Sequence, residues 1–183
     1  MNPIQVASAA SSEGAILPDG RIEGLVLGAA ERFVVRDYEP PEKWWVSPVS
    51  VPITVESSMS LDPDAVLRMI FEDGDWASTI SFEPGIDVVL GGTLELTFDD
   101  DVRPDALIGA TFDLFDWDGA VRTGEFDRIV TEWDAVWDTS GLYSTGEVTL
   151  VWAVPEPATW GLLLIGGAGM TWILHRRGRD GTY

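Results

Sequence analysis

Residues 93–98 read Thr93-Leu94-Glu95-Leu96-Thr97-Phe98, with an apolar side chain at every second position. A period of two is typical of a β-strand that has one buried face. Two glycines, Gly91 and Gly92, separate this run from a second short apolar run at 86–90. Glycine pairs between apolar runs mark turns or loops. The stretch therefore predicts two short strands with a glycine-containing break between them.

Similar short runs recur along the chain, and Gly, Pro or Asp stands at the breaks between them. Pro52 favours an edge strand or the start of a strand, because proline lacks the N–H that a sheet needs. Asp62-Pro63-Asp64 could cap a short helical turn, which would replace the strand predicted for the apolar run at 66–72. No long amphipathic helix is evident, so we expect an all-β body. The further strands are predicted at 32–37, 51–56, 66–72, 78–83, 111–115, 126–130, 135–137 and 147–153.

Composition excludes several kinds of catalytic site. The 183 residues contain no cysteine and one histidine, His175. Disulfides, Ser-His-Asp triads, Cys-His pairs and histidine zinc sites are therefore ruled out in the body. Residues 1–154 carry 29 acidic and 8 basic side chains, and hence a net charge of −21. Such a body repels phosphate, so nucleic acid is disfavoured as a partner.

The C-terminal part of the chain has the length and composition of a membrane segment. Residues 158–174 are 17 uncharged residues, rich in Leu, Ile and Gly. As a helix they would extend about 25 Å, near the short end of what spans a bilayer core of about 30 Å. Trp160 and Trp172 stand near the two ends, where interfacial aromatic residues are common. The segment predicts a single transmembrane helix; the alternative is a buried helix of a soluble domain.

Basic residues follow the apolar segment and predict its orientation. Arg176, Arg177 and Arg179 should remain on the cytoplasmic side. The body would then lie on the opposite side of the membrane. We therefore expect an exported acidic body that is retained by a basic anchor.

Val154-Pro155-Glu156-Pro157, an apolar segment with glycines and an arginine-rich end together resemble the PEP-CTERM protein-sorting domain of Gram-negative bacteria. The resemblance implies export, temporary single-pass anchoring in the inner membrane and processing near the motif by an exosortase, a membrane-embedded protease. The cell surface or the extracellular space would be the destination. By position in the motif, Pro155, Glu156 and Pro157 are the recognition residues, and Arg176 and Arg177 are the stop signal.

The proline positions suit such a signal. Each proline fixes its own φ and disfavours helix at the residue before it. The peptide would therefore stay extended just outside the bilayer, where a protease can bind it. This division assigns 154–157 to the motif, 158–174 to the helix and 175–183 to the basic tail.

The N-terminal end lacks the features of a secretory signal peptide. Residues 1–8 contain neither a basic region nor an apolar region. We expect the chain to be the C-terminal part of a longer protein or to have a true start further upstream; an unusual export route is the alternative. Residues 1–20 are expected to be poorly ordered, and 21–153 to form the body.

The body resembles the closing segment of exported bacterial β-solenoid proteins. The phrases that carry this resemblance are LGGTLEL (90–96), GATFDLFDW (109–117), GEF (124–126) and WDTSGLYSTG (137–146). The resemblance implies that the body is the end of a stacked β array with a capping sheet, since exposed strand edges need protection. An antiparallel β-sandwich is the alternative architecture.

Acidic clusters are the candidates for chemistry within the body. Asp99-Asp100-Asp101 and the group Asp113, Asp116 and Asp118 could supply oxygen ligands for Ca²⁺. Turn formation and a solvated acidic face explain the same residues without a metal. A pair of carboxylates could also serve a glycosidase. With 31 acidic residues such pairs arise by chance, so we expect no metal, no cofactor and no catalytic residue.

Nine tryptophans offer a further choice between packing and binding. Exposed rings could stack on the sugars of a matrix polysaccharide, whereas buried rings would fill the core. Three functions follow: a non-enzymatic surface or extracellular-matrix protein, which we expect; a carbohydrate-binding module; or the C-terminal part of a larger polysaccharide-active protein. The candidates for stacking are Trp44, Trp45, Trp117 and Trp133, and the candidates for the core are Trp76, Trp117 and Trp137.

Overall fold

A computed structural model of the protein describes residues 20–36, 52–74, 76–132 and 134–153. These residues form thirteen β-strands and one short 3₁₀ helix, Pro104–Leu107. The described chain is thus mostly β with almost no helix, which confirms the predicted all-β class. The predicted transmembrane helix at 158–174 and nearly all of the N-terminal segment 1–20 lie outside the described residues.

The strand bounds agree with most of the predicted runs. In chain order the strands are β1 Arg21–Leu27, β2 Arg32–Arg36, β3 Ile53–Leu61, β4 Val66–Phe71, β5 Ile80–Phe82, β6 Asp87–Val89, β7 Thr93–Phe98, β8 Thr111–Asp113, β9 Phe115–Asp116, β10 Val121–Thr123, β11 Arg128–Thr131, β12 Val136–Asp138 and β13 Glu147–Trp152.

Sequence reasoning missed two strands and offered one wrong alternative. The apolar alternation of β1 breaks at Gly24, where its pairing with β3 shifts register. The three residues of β10 have no periodic apolar pattern. The segment before β4 is a turn, closed by a hydrogen bond from the Ala65 N–H to the Asp62 carbonyl at 2.9 Å, and is followed directly by a strand. The helical alternative there is therefore wrong.

Two parallel sheets make up most of the described chain. In the first sheet, β3 pairs with β1 on one edge and with β5 and β6 on the other, and these pair in turn with β9 and β10. The second sheet has the order β11-β7-β4-β2. All eight pairings within these two sheets are parallel. An antiparallel sandwich, the alternative expectation, does not describe them.

The chain passes alternately through the two sheets. In the second sheet Arg32 pairs with Val66, Val66 with Thr93, and Thr93 with Arg128, so that paired residues are 34, 27 and 35 positions apart. Parallel neighbours cannot be joined by a hairpin and need a longer connection. Here that connection runs through the other sheet, and each circuit of the chain adds strands to both.

The core lies between the inward faces of these strands. Along β3, β4 and β7 the inward positions are apolar, as a period of two requires. Burial of apolar surface is the dominant favourable term in folding, so these positions supply most of the stabilising free energy. Fully buried side chains from the three strands include Val55, Met59, Leu67, Met69, Leu94 and Leu96.

The third sheet is antiparallel, with the order β12-β13-β8. It packs on the ends of the second sheet through aromatic rings. Phe112 of β8 lies 4.3 Å from Phe71 between ring centroids, and Trp137 of β12 lies 5.0 Å from Phe71 and 5.7 Å from Phe98. This sheet therefore closes the core beside the parallel strands.

The turn at 139–146 covers the last strands of the first sheet. The indole N–H of Trp117 donates to the main-chain carbonyl of Leu142 at 2.8 Å. Arg122 donates to the carbonyl of Tyr143 at 2.9 Å, and the Tyr143 hydroxyl accepts from the N–H of Phe126 at 3.0 Å. The C-terminal end of the stack is thus covered by side-chain and main-chain contacts.

Candidate functional site

The residues predicted to form the sorting signal lie C-terminal to residue 153, the last residue that the structure describes. Pro155, Glu156, Pro157, Arg176 and Arg177 all lie outside the described residues. Within the described ranges, no helix is long and apolar enough to cross a membrane. What the structure shows near this signal is β13, the strand that precedes it in the chain.

That strand, β13, is held along both of its edges. It pairs with β12 on one side and with β8 on the other, antiparallel in both cases. Val148, Leu150 and Ala153 are buried. Because both edges and the inward side chains are fixed, the body is firmly packed up to the last described residue.

A tryptophan that sequence reasoning did not consider stands at this end of the body. Trp152 is 50% exposed, although it lies in the middle strand of its sheet. Its neighbour Val151 is 51% exposed. A signal was available in the sequence, because Trp152 is an aromatic residue next to a predicted membrane signal, where interfacial rings are common.

One side chain of each predicted Asp cluster accepts a hydrogen bond within a turn. Asp99 accepts from the N–H of Asp101 at 3.3 Å and pairs with Arg36 at 2.8 Å. Asp116 accepts from the N–H of Asp118 at 3.0 Å. No group of three or more potential metal ligands occurs within the described part of the chain. Asp99 and Asp116 therefore act as turn residues, with side chains that bond to main-chain N–H groups.

The surroundings of Asp113 disfavour the ionised form of its carboxyl group. Partial burial raises the pKa of Asp113, and the negative charges of Glu147 and Asp116 raise it further. Glu147 stands directly opposite Asp113 in the β8–β13 pairing. Like charges at opposed positions of two strands are destabilising. Because its pKa is raised, Asp113 keeps its proton up to a higher pH than an ordinary aspartate does.

Of the four tryptophans that the structure describes, all but Trp152 pack within the body. Trp117 stacks on Phe115 at 4.5 Å and on Phe82 at 5.3 Å between ring centroids. Trp76 and Trp137 each lie 5.0 Å from Phe71 between ring centroids. These three rings are only partly exposed and serve packing. Trp44, Trp45 and Trp133, the other candidates for stacking on sugars, lie outside the described residues.

Comparison with known proteins bears on the C-terminal end. No curated protein and no solved structure gave a significant match to the chain. Residues 153–177 match the family described as the PEP-CTERM protein-sorting motif. The match begins at the residue that follows β13 and covers all five predicted signal residues. The chain therefore carries a PEP-CTERM sorting motif, which implies exosortase-dependent sorting of a membrane-anchored and then exported protein.

Proposed function

We propose that this chain is a non-enzymatic surface or extracellular-matrix protein, held in the inner membrane by residues 158–174 until an exosortase processes it near Pro155-Glu156-Pro157. The observation that carries the proposal is the sorting motif at 153–177, which follows directly from a strand of the body. A firmly packed body joined to a processing signal is the arrangement expected of delivered cargo.

Membrane orientation in this proposal follows from charge. The uncharged run 158–174 spans the bilayer, and Arg176 and Arg177 remain in the cytoplasm. The acidic body then faces away from the cytoplasm. Pro155 and Pro157 keep the intervening peptide extended, so that Glu156 is accessible to a protease at the membrane surface.

In this proposal the body is the terminal piece of a β-solenoid. Three observations support that assignment: the parallel pairing of both large sheets, the circuits of 27 to 35 residues, and the turn at 139–146 that covers the last strands. Terminal units of such arrays need a cap that protects strand edges. The edges of β1 and β2 lie at the opposite end of the described stack.

Carbohydrate binding and polysaccharide cleavage are the alternatives. Packing of Trp117 against two phenylalanines takes away one of the rings proposed to stack on sugars. A cleaving enzyme would need an acid and a base of carboxylate type, since the body has neither Cys nor His. The repulsive pair of Asp113 and Glu147 is set in a three-stranded sheet that packs on the core, and we assign it no catalytic part.

Expression of the full chain behind a secretory signal peptide, in a Gram-negative host with and without an exosortase, tests the proposal. We expect the full chain to be shortened and released in the first host and to stay in the inner-membrane fraction in the second. Deleting 155–183 should abolish anchoring in both hosts. Glu156→Ala should slow processing, whereas Glu125→Ala, a change at an exposed glutamate of the body, should not. Unchanged fractionation after the deletion would contradict the proposal.

A further inference from the structure

Four exposed apolar side chains lie together at one end of the third sheet. Val136 pairs with Trp152 across β12 and β13. On the other edge, the Gly109 N–H donates to the Leu150 carbonyl at 2.7 Å and the Leu150 N–H donates to the Ala110 carbonyl at 3.0 Å. These bonds attach Gly109 and Ala110 to the C-terminal part of β13, so that Ile108, the preceding residue, lies near the end of that strand. We call Ile108, Val136, Val151 and Trp152 the apolar end.

The four side chains of the apolar end form a group, whereas the other exposed valines stand singly on the surface. Its members are between 46% and 51% exposed. They are four of the nine large apolar side chains that are exposed in the described ranges. The other five are single valines distributed over β1, β2, β6, β10 and β11. Isolated apolar residues on a surface need no explanation, whereas a group of them does.

A β-bulge creates this group. Adjacent strand residues normally point to opposite faces, so Val151 and Trp152 should not both be exposed. The pairing shifts between Val136 and Trp137, because Val136 pairs with Trp152 while Trp137 pairs with Leu150. Two residues of β13 therefore oppose one residue of β12, and the bulge turns an otherwise inward side chain outwards.

The short segment between Trp152 and residue 158 limits how far the apolar end can lie from the predicted membrane anchor. Residue 158, the first of the uncharged run, lies six positions after Trp152. Even fully extended, six residues reach at most about 20 Å. If residues 158–174 are anchored in the bilayer, the apolar end is held within that distance of the lipid headgroups.

We propose that the apolar end of the third sheet rests on the lipid bilayer before processing, with Trp152 in the interfacial region. The inference relies on the proposed anchor at 158–174. Tryptophan favours the interface because its ring is apolar and its N–H is polar. The short tether raises the effective concentration of bilayer at the apolar end, so that weak contact is sufficient. The body would then hold the peptide 153–157 in a fixed orientation at the membrane surface.

Apolar contact, and not charge, would carry this docking. Residues 1–154 have a net charge of −21, so this part of the chain is repelled by anionic headgroups. A zwitterionic membrane should therefore be contacted at least as well as an anionic one. This expectation distinguishes the proposed contact from binding by a basic surface.

The chain is well suited to site-directed labelling because it contains no cysteine. Val136→Cys and Val151→Cys would each carry a nitroxide spin label with Trp152 retained. The full chain is reconstituted into phosphatidylcholine vesicles without exosortase, and collisions with oxygen are compared with collisions with a water-soluble nickel complex. Val34→Cys, at a 44% exposed position of β2, is the matched control in the body. Ile165→Cys, within the uncharged run, reports on the anchor.

We expect the labels at 136 and 151 to be shifted towards oxygen and away from nickel relative to the label at 34. Adding Trp152→Asp should move the label at 136 back towards the aqueous value. If labels at 136 and 151 match that at 34 while the label at 165 is lipid-exposed, the docking inference is wrong and the anchor stands. A nickel-accessible label at 165 would overturn the anchor and the docking together. Shielding that occurs only when exosortase is added would make the protease the partner and also overturn the inference.

Discussion

Gly92 and Ala65 approach so closely that residue 92 has no room for a side chain. A Cβ at Gly92 would lie 2.5 Å from the carbonyl oxygen of Ala65 and 2.7 Å from that of Asp62. Gly92 also has a φ of +64°. The N–H of Thr93 donates to the Ala65 carbonyl at 2.9 Å, so the two turns are stacked directly on each other. Glycine is required here both by contact and by backbone conformation.

Gly92→Ala should therefore destabilise the body more than an ordinary change at a left-handed glycine. We expect a loss of about 2 to 5 kcal/mol, the sum of left-handed strain and a backbone clash. Gly85→Ala is the matched control, because Gly85 has a φ of +86° but nothing within 4 Å of its Cβ position. It should cost only about 1 to 2 kcal/mol. Urea unfolding of the full chain in mild detergent measures both, and equal losses would show that the turns are not in contact.

An arginine on the second sheet forms ion pairs with two glutamates, one in β7 and one directly after β11. Arg68 Nε lies 3.1 Å from Glu95 Oε2, and Arg68 Nη2 lies 3.0 Å from Glu132 Oε1. The Glu95 side chain is only 17% exposed. A partly buried carboxylate that loses its partner is costly.

Arg68→Met should lower the free energy of unfolding by about 1 to 3 kcal/mol, because Glu132 loses a charged hydrogen-bond partner and the partly buried Glu95 keeps only its ion pair with Arg32, at 3.4 Å. Arg103→Met provides the control. Arg103 is 79% exposed and pairs with Asp105, two residues away, so that change should stay within about 0.5 kcal/mol. Chemical denaturation of both variants at low salt checks the difference. Indistinguishable midpoints would mean that the Arg68 contacts contribute nothing measurable.

Asp113 should make the native state less stable as pH rises. Burial and the nearby carboxylates raise its pKa in the folded chain, so the folded state favours the protonated acid. Stability is then fully present below the unfolded-state pKa and is lost as pH rises through the folded-state pKa. Asp113→Asn should raise the melting temperature at neutral pH and have little effect below about pH 3. A gain that is independent of pH would contradict this origin.

Asp138 provides a control of opposite sign. Its pKa is lowered because the Ser140 N–H donates to its carboxylate at 3.0 Å. The ionised form is therefore favoured on folding, and its contribution is present above the unfolded-state pKa and lost as pH falls through the folded-state pKa. Asp138→Asn should lower the melting temperature at neutral pH, with the difference disappearing in acid. At neutral pH the melting temperature of Asp113→Asn should lie above that of the parent, and the melting temperature of Asp138→Asn should lie below it. Both differences should become small in acid.

A phenol oxygen in the turn at 139–146 contributes one of the hydrogen bonds that attach this turn to the rest of the body. The Tyr143 hydroxyl accepts from the Phe126 N–H at 3.0 Å. Tyr143→Phe would leave that N–H without this acceptor and should cost about 1 to 3 kcal/mol. Ser144→Ala, in the same turn at an exposed hydroxyl, should stay within about 0.5 kcal/mol. Hydrogen exchange at the Phe126 amide gives a local readout, and unchanged exchange in Tyr143→Phe would contradict the assignment.

Local pattern was enough to locate the strands whose side chains alternate strictly. The run at 93–98 is strand β7, and 66–72 contains β4. Strand β1 escaped because its alternation breaks at Gly24, and β10 escaped because three residues carry no period. The parallel pairing was outside the reach of local pattern, since it joins residues 27 to 35 positions apart.

The sequence by itself determined the all-β class and the sorting motif at 153–177, because both depend on short stretches whose side chains act in order along the chain. Only the tertiary structure decided that Gly92 must lack a side chain and that Trp152 is exposed. The first follows from a carbonyl contributed by an earlier circuit, and the second from a bulge in the pairing of β12 with β13. Both depend on segments distant in sequence whose register is set by packing of the core.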